Sequence, residues 1–303
     1  MAVLAPCRNE AVTIGKVIAD FRAALPSAAI YVYDNASTDD TSARAKAAGA
    51  LVRREARPGK GNVIHRMFAD VSADIYVLVD GDDTYDAAAA PALIQHLVAH
   101  QLDMAIGLRR HTDAAAYRPG HQFGNWLLTS LVNWTFGAKL ADMLSGYRVM
   151  SRRFVKSFPA LSAGFEIETE LTVHALDIGA AIAEIPTAYK ERPEGSASKL
   201  NSMRDGVRIM RLIARLVRDQ RPIPFFFLGA FGLLALSAIL GLPVVMDYLQ
   251  TGLVPRQPTW LAAIGLVILA FLSFTCGLIL DGTSRNRREA RRLAYLALPV
   301  FWE

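Results

Sequence analysis

Cysteine is scarce in this sequence of 303 residues, which has only two, Cys7 near the start and Cys276 inside an apolar run. Two cysteines in such different surroundings exclude a disulfide framework and a cysteine-rich zinc site. We therefore expect the folded part of the chain to lie in a reducing, cytosolic compartment.

Two other features are missing. No cleavable signal peptide is recognisable, because the apolar stretch 1–5 is short and leads straight into polar residues, so we expect the N-terminal domain to stay in the cytoplasm. No nucleic-acid-binding module is recognisable either. The net charge of +5 comes from basic residues beside apolar runs, where anionic lipid headgroups are the nearer partner.

Short apolar runs alternate with helical stretches over roughly the first third of the chain. Strands are predicted at 2–5, 29–33, 75–79 and 103–107, and helices at 13–25, 41–48 and 87–100. Strands that alternate with helices form a mostly parallel sheet. We therefore predict an α/β, Rossmann-like domain over residues 1–200, in which ligands bind beyond the carboxyl ends of the strands.

Two long runs without charged residues follow, at 222–246 and 258–280. Each is longer than the roughly 20 residues that span the hydrocarbon core of a bilayer. A buried core helix is the alternative, but two such runs joined by a short loop favour a transmembrane hairpin over residues 222–281. Gly229, Gly232 and Gly241 are small residues that suit helix packing in membranes, which leaves homo-oligomer formation open.

Arginines flank the hairpin on both sides, whereas its connecting loop carries only Asp247 and Arg256. The positive-inside rule then predicts a multi-pass protein of the cell (inner) membrane, with both termini and the N-terminal domain cytoplasmic. Residues 201–221 repeat arginines at helical spacing, which predicts a basic amphipathic helix at the membrane interface, with a solvated domain face as the alternative. We expect residues 282–303 to form a basic cytoplasmic tail.

The sharpest local feature is Asp80-Gly81-Asp82-Asp83, directly after a hydrophobic strand. Carboxylates so close together repel one another unless a cation intervenes. Mg²⁺ binds nucleotide diphosphates through one or two carboxylates, with phosphate oxygens and water completing its shell, and Mn²⁺ suits similar ligands. We therefore expect Asp80 and Asp82 to bind Mg²⁺ or Mn²⁺. A solvated acidic turn is the alternative if this motif is taken alone.

Three further motifs precede the aspartates: Pro6-Cys7-Arg8-Asn9-Glu10, Asp34-Asn35-Ala36-Ser37-Thr38-Asp39-Asp40-Thr41 and Gly59-Lys60-Gly61-Asn62. In this order, over roughly residues 1–220, they resemble the family 2 inverting glycosyltransferases of GT-A fold. That family includes dolichol-phosphate mannose synthase and bacterial polyprenyl-phosphate glycosyltransferases. The resemblance implies that the residues binding the nucleotide-sugar donor are Pro6, Asn9, Glu10, Asp34, Lys60 and Asp80.

The same resemblance implies that Asp82 is the main metal ligand and a catalytic residue. Some dolichol-phosphate mannose synthases place a glutamine two residues after this aspartate as a further ligand, whereas this chain has Thr84. We expect Asp83 to compensate as a third metal ligand.

Basic segments further along resemble the phosphate-binding segments of the polyprenyl-phosphate enzymes: Gly107-Leu108-Arg109-Arg110, Leu144-Ser145-Gly146-Tyr147-Arg148 and Arg192-Pro193-Glu194-Gly195-Ser196-Ala197-Ser198-Lys199. An acceptor phosphate and a donor diphosphate repel each other, so their reaction requires cations. The resemblance selects Arg109, Arg148 and Lys199, although any one of them taken alone suits a surface salt bridge. Glu166 and Glu168, near the start of a predicted helix, are candidates for a general base or for positioning a sugar hydroxyl or a cation.

The resemblance therefore implies metal-dependent, inverting transfer of a sugar from GDP-mannose or a UDP-sugar to dolichyl or undecaprenyl phosphate, at the cytoplasmic membrane face. A membrane polysaccharide or glycolipid synthase with a hydroxyl acceptor is the alternative. The usual Gln-x-x-Arg-Trp motif of such synthases is missing, and two spans are too few to line a channel. A catalytically silent membrane adaptor is an alternative of another class, which loss of the aspartates would have favoured.

Overall fold

The computed structural model describes residues 1–111, 129–134, 136–159, 164, 166–193, 218 and 222–299. The chain divides into two compact units, of which the first comprises Met1–Arg211 with Arg291–Glu303 and the second Leu212–Ala290. The predicted interfacial helix over 201–221 lies outside the described residues, apart from Arg218.

The first unit is an α/β structure, as predicted. Its strands are β1 (Ala2–Cys7), β2 (Ala29–Asp34), β3 (Leu51–Arg54), β4 (Ile75–Leu78), β5 (Met104–His111), β6 (Arg148–Ser151) and β7 (Ile182–Tyr189). Its helices are α1 (Ile14–Ala24), α2 (Thr41–Ala47), α3 (Lys60–Asp70), α4 (Ala90–Ala99), α5 (Arg152–Ser157) and α6 (Ile167–Ile178).

The strands form one seven-stranded sheet in the order β3-β2-β1-β4-β6-β5-β7. Neighbouring strands are parallel except where β6 lies between β4 and β5 and runs antiparallel to both. The mostly parallel sheet predicted from the sequence is therefore confirmed. The carboxyl ends of β1, β2 and β4 share one edge, so the loops that follow these strands converge there.

Both faces of the sheet are buried, which explains why β1 is a continuous apolar run and not an alternating one. Val3, Ala5 and Cys7 pack into a core with α1 and α4, whereas Ala2 and Leu4 pack into a second core with α3, α5 and α6. Opposite faces of one strand thus supply two separate cores.

The chain's last described helix, α8 (Gln257–Leu296), completes the second of these cores. The Tyr295 hydroxyl donates a hydrogen bond of 2.5 Å to Asp103 Oδ2, and the Arg153 guanidinium lies 4.0 Å from the centre of the Tyr295 ring. Residues 282–303 were predicted to form a basic tail, but the structure continues the helix to Leu296. The last turns of α8, from Arg291, belong to the first unit, and the packing of Tyr295 and its hydrogen bond to Asp103 hold them in its core.

The second unit contains α7 (Pro222–Thr251) and most of α8. By length and composition both helices can span a membrane. Small residues bring them together: the Ser237 hydroxyl donates to the Ala263 carbonyl at 2.8 Å, and a Cβ at Gly277 would lie 2.8 Å from the Phe226 Cβ. Close helix approach therefore depends on residues without bulky side chains.

The three glycines predicted to suit helix packing, Gly229, Gly232 and Gly241, differ in whether they face the other helix. Gly229 and Gly241 face α8, since a Cβ on them would contact Ser273 and Ala263, respectively. A Cβ on Gly232 would meet no atom within 4 Å. Two of the three small residues are therefore used within the hairpin.

His174, on α6, makes the stability of the first unit depend on pH. It packs against Phe154 and Phe158, and burial, with a further contribution from the charge of Arg291, lowers its pKa from 6.5 to about 4. Between these values the unfolded chain binds a proton that the folded chain does not, so stability is lost as the pH falls from about 6.5 to about 4.

We predict that His174→Phe removes this part of the pH dependence, which amounts to about 3 kcal/mol, because phenylalanine has no proton to bind. Thermal unfolding of both proteins in detergent, at pH values across that window, measures the effect. The explanation is wrong if the two stability curves run parallel to each other.

Candidate active site

The first two loops at the carboxyl edge of the sheet are joined by hydrogen bonds. Asn9 has φ 52°, a left-handed conformation that asparagine tolerates, and its Oδ1 accepts a bond of 2.8 Å from the main-chain N of Thr38. The main-chain N of Glu10 donates to Thr41 Oγ1 at 2.8 Å. Pro6 is the second-last residue of the adjoining strand β1, so three predicted donor-binding residues come together here.

Asp34 ends β2 beside the same loops. Its Oδ1 accepts a hydrogen bond of 2.9 Å from the main-chain N of Ser37, and its Oδ2 accepts one of 2.8 Å from the Ser42 hydroxyl. The carboxylate is thereby fixed in orientation next to Asn9 and Glu10.

Asn35 positions Lys60, a role that the sequence analysis missed. Its side-chain amide donates to the carbonyls of Glu55 and Arg57 at 3.1 and 2.7 Å, and its Oδ1 accepts 2.7 Å from the main-chain N of Gly59. Gly59 has φ 123°, which favours glycine, and α3 begins at the next residue, Lys60. The signal in the sequence was an asparagine directly after a strand, able to donate and accept at once.

Lys60 bridges two carboxylates that are far apart in sequence. Its Nζ lies 2.5 Å from Asp80 Oδ1 and 2.5 Å from Glu168 Oε1. Burial opposes the charge on Lys60, but the two carboxylates outweigh burial and raise the pKa of its ammonium above the ordinary value. The structure therefore brings together Lys60, Asp80 and Glu168 from the predicted set.

Gly146 leaves the space that this arrangement needs. A Cβ at this position would lie 2.7 Å from Asp80 Oδ2 and 3.3 Å from Lys60 Nζ. The main-chain N of Gly146 donates a hydrogen bond of 2.8 Å to the Tyr85 hydroxyl, which limits the movement of Gly146.

Asp82 is buried beside this cluster. Its Oδ1 accepts 2.7 Å from the Thr84 hydroxyl, and its Oδ2 lies 2.6 Å from Arg192 Nη2. Burial and the charge of Asp80 raise the pKa of Asp82, and Arg192 counteracts them. Thr84, which stands where some relatives were expected to have a metal-binding glutamine, orients Asp82.

Asp83 points to a different partner, because φ 59° at this residue turns its carboxylate to Lys16 of α1, at 2.9 Å. No group of three or more His, Cys, Asp or Glu side chains within the described ranges is arranged to hold a metal ion. The predicted three-aspartate ligand set is therefore not gathered here. Asp80 pairs with Lys60, and Asp82 pairs with Arg192.

The two predicted phosphate-binding arginines that the structure describes differ in position. Arg109 forms a bidentate pair with Asp142, at 2.6 and 2.8 Å, and its guanidinium lies 5.5 Å from the centre of the Tyr189 ring near the site. Arg148 is fully buried, and burial lowers its pKa to about 10.

The Arg148 guanidinium donates to main-chain carbonyls of Met143, Ser145 and Glu168, at 2.7, 3.0 and 2.9 Å. The predicted phosphate contact does not fit this position, because the guanidinium is enclosed and donates to three main-chain carbonyls and to Met104 Sδ, at 3.6 Å. Arg148 instead fixes the loop before β6 to the segment that carries Glu168.

Two predicted site residues remain, Glu166 and Lys199. Glu166 immediately precedes α6, and its carbonyl accepts 3.0 Å from the main-chain N of Glu170. Lys199 lies outside the described residues.

Comparison with known proteins assigns the chain to a family. Residues 2–158 match Glycosyl transferase family 2. Glycosyltransferase AglJ of Haloferax volcanii is 33% identical over 254 residues, which cover 82% of this chain and 81% of that protein. A dolichyl-phosphate hexose transferase of the same organism is 26% identical over 221 residues, which cover 73% of this chain and 95% of that protein.

The fold also matches a solved structure. Glucosyl-3-phosphoglycerate synthase from Mycobacterium tuberculosis, in complex with Mn²⁺ and UDP-glucose, superposes with a TM-score of 0.57 at 26% identity, covering 71% of this chain and 77% of that one. The chain therefore belongs to glycosyl transferase family 2 and is a glycosyltransferase of GT-A-like fold.

We predict that Gly146→Ala lowers transferase activity about tenfold or more, because the added methyl group would push Asp80 away from Lys60. Transfer rates in membranes, normalised to the amount of folded protein, measure the effect. Gly15→Ala on α1 is the matched control, since a Cβ there meets no atom within 4 Å. Equal losses in both variants would contradict the proposed clash.

Proposed function

We propose that this glycosyltransferase moves a sugar from a nucleotide diphosphate sugar, GDP-mannose or a UDP-sugar, to a polyprenyl phosphate at the cytoplasmic face of the cell (inner) membrane, with inversion at the anomeric carbon. The observation that carries the proposal is the pair of carboxylates, Asp80 and Asp82, held beside Lys60 and Arg192 at the carboxyl edge of the sheet. Such a mixture of fixed negative and positive groups suits a diphosphate with its counter-ion.

The donor lies, in this proposal, along the edge formed by the first two loops. Asn9, Glu10 and Asp34 are held there by hydrogen bonds with neighbouring residues, and Pro6 lies near the end of the adjoining strand β1. We assign these residues to the nucleobase and ribose, and Lys60 to the diphosphate. The complex of the mycobacterial synthase with UDP-glucose supports a nucleotide-sugar donor for this fold.

Asp80 and Asp82 fit a divalent cation. Burial and the negative charge of Asp80 raise the pKa of Asp82, and a cation between the two carboxylates would relieve their repulsion. Mg²⁺ or Mn²⁺, when bound, offsets the charge that develops on the departing diphosphate. The Mn²⁺ in the mycobacterial synthase supports this assignment.

The acceptor phosphate is already ionised near neutral pH, so its oxygen attacks the anomeric carbon without a general base. We therefore assign Glu168 to holding Lys60 in place, consistent with their 2.5 Å separation. Arg109 and Lys199 are assigned to offsetting the charge of the acceptor phosphate as it approaches the donor.

A lipid acceptor agrees with the two helices that can span a membrane. Arginines on both flanks of these helices favour an orientation with both ends in the cytoplasm. The dolichyl-phosphate hexose transferase relative supports a polyprenyl phosphate as the acceptor.

Transfer of radiolabelled sugar from a panel of nucleotide sugars tests the proposal, with organic-extractable polyprenyl phosphate as the product. With one donor, we expect label in the lipid, and we expect chelator to prevent this transfer. Asp82→Asn should lower the transfer rate on the order of 100-fold, because the cation loses its buried ligand. Asp74→Asn is the matched control, since this exposed aspartate lies just before the opposite end of β4. Metal-dependent label in polymer or protein, with none in lipid, would instead favour a hydroxyl acceptor.

A further inference from the structure

Both oxygens of Asp82 are already occupied. Thr84 donates to Oδ1, and Arg192 Nη2 lies 2.6 Å from Oδ2. The Asp82 side chain is 4% exposed and the Arg192 side chain 28%. The pair therefore lies at the boundary between the interior and the open edge of the sheet, with the carboxylate on the inner side.

Main-chain contacts of the preceding residues, as well as the charge of its guanidinium, hold Arg192 beside Asp82. The main-chain N of Lys190 donates 2.8 Å to the Thr84 carbonyl. Tyr85 and Tyr189 form an isolated antiparallel β-bridge, and the centres of their rings lie 5.2 Å apart. Lys190, two residues before Arg192, is thus attached to Thr84, directly after the aspartate motif. This attachment directs Arg192 at Asp82.

A divalent cation at Oδ2 would compete with this arginine for the negative charge of Asp82. Mg²⁺ binds carboxylate oxygens at about 2.1 Å, and the guanidinium nitrogen now lies 2.6 Å from the same oxygen. The oxygen has two lone pairs, but two positive charges held this close to one oxygen repel each other, so each weakens the binding of the other.

We propose that Arg192 is the resident counter-cation of Asp82, and that a divalent cation enters by displacing it. This inference rests on the proposed role of Asp82 as the metal ligand. The displaced guanidinium is then available to an anion, so a bound nucleotide diphosphate favours the exchange and metal and nucleotide bind cooperatively. In the nucleotide-free protein, Arg192 lowers the affinity for the metal.

Titration of the nucleotide-free, full-length protein in detergent with Mn²⁺ tests this, with free Mn²⁺ measured by electron paramagnetic resonance. We expect Arg192→Ala to bind Mn²⁺ roughly fivefold to tenfold more tightly than the wild type, because the competing cation is gone. Arg192→Lys keeps a competing cation and is expected to bind Mn²⁺ less tightly than Arg192→Ala.

Arg66→Ala is the matched control, because it removes one exposed arginine that pairs with Asp70 on its own helix. We expect its Mn²⁺ affinity to equal that of the wild type. Equal Mn²⁺ affinities in wild type and Arg192→Ala, together with lost binding in Asp82→Asn, would overturn the displacement while retaining the metal site. Unchanged binding in Asp82→Asn would overturn both, since the metal would then be held elsewhere.

Discussion

The ammonium of Lys60 holds together two parts of the sheet's edge that carry the same sign of charge. Asp80 follows β4 and Glu168 lies in the first turn of α6, and without a cation between them the half-buried Asp80 and the buried Glu168 would repel each other. Other features of the site support this bridge: Asn35 fixes the start of α3, and Arg148 fixes the main chain at Glu168. The edge is thus organised around one buried positive charge.

Every carboxylate of the aspartate motif has its own cation: Asp80 has Lys60, Asp82 has Arg192 and Asp83 has Lys16. Charges that are paired before a ligand arrives avoid the desolvation penalty of isolated buried ions. Binding an anionic donor with its metal then becomes an exchange of partners. The free energy of such an exchange depends on small differences between ion pairs. The arginine or lysine of each pair is therefore as relevant to ligand binding as its aspartate.

Local pattern predicted the strands that alternate with helices, and hence the edge where the loops converge. It did not predict β6, because an antiparallel strand inserted between β4 and β5 is set by pairing across distant parts of the chain. Nor did it separate Arg109, at the site, from Arg148, in the interior. The two arginines stand in similar basic segments, and only tertiary packing decides which guanidinium is enclosed. The Lys60–Glu168 contact is equally non-local, whereas Asn35 was detectable from its position after a strand.

The first unit is discontinuous: its second core includes Tyr295, whose codon follows those of both uncharged runs, 222–246 and 258–280. During synthesis, Asp103 is therefore made long before the tyrosine hydroxyl that binds it, and the intervening hairpin leaves the ribosome first. Until then Asp103, Ser151 and Arg153 form an incomplete polar cluster beside an open apolar surface. A ribosome-bound chain consequently carries a catalytic unit whose core is unfinished, and completion of that core is coupled in time to the emergence of the membrane segments.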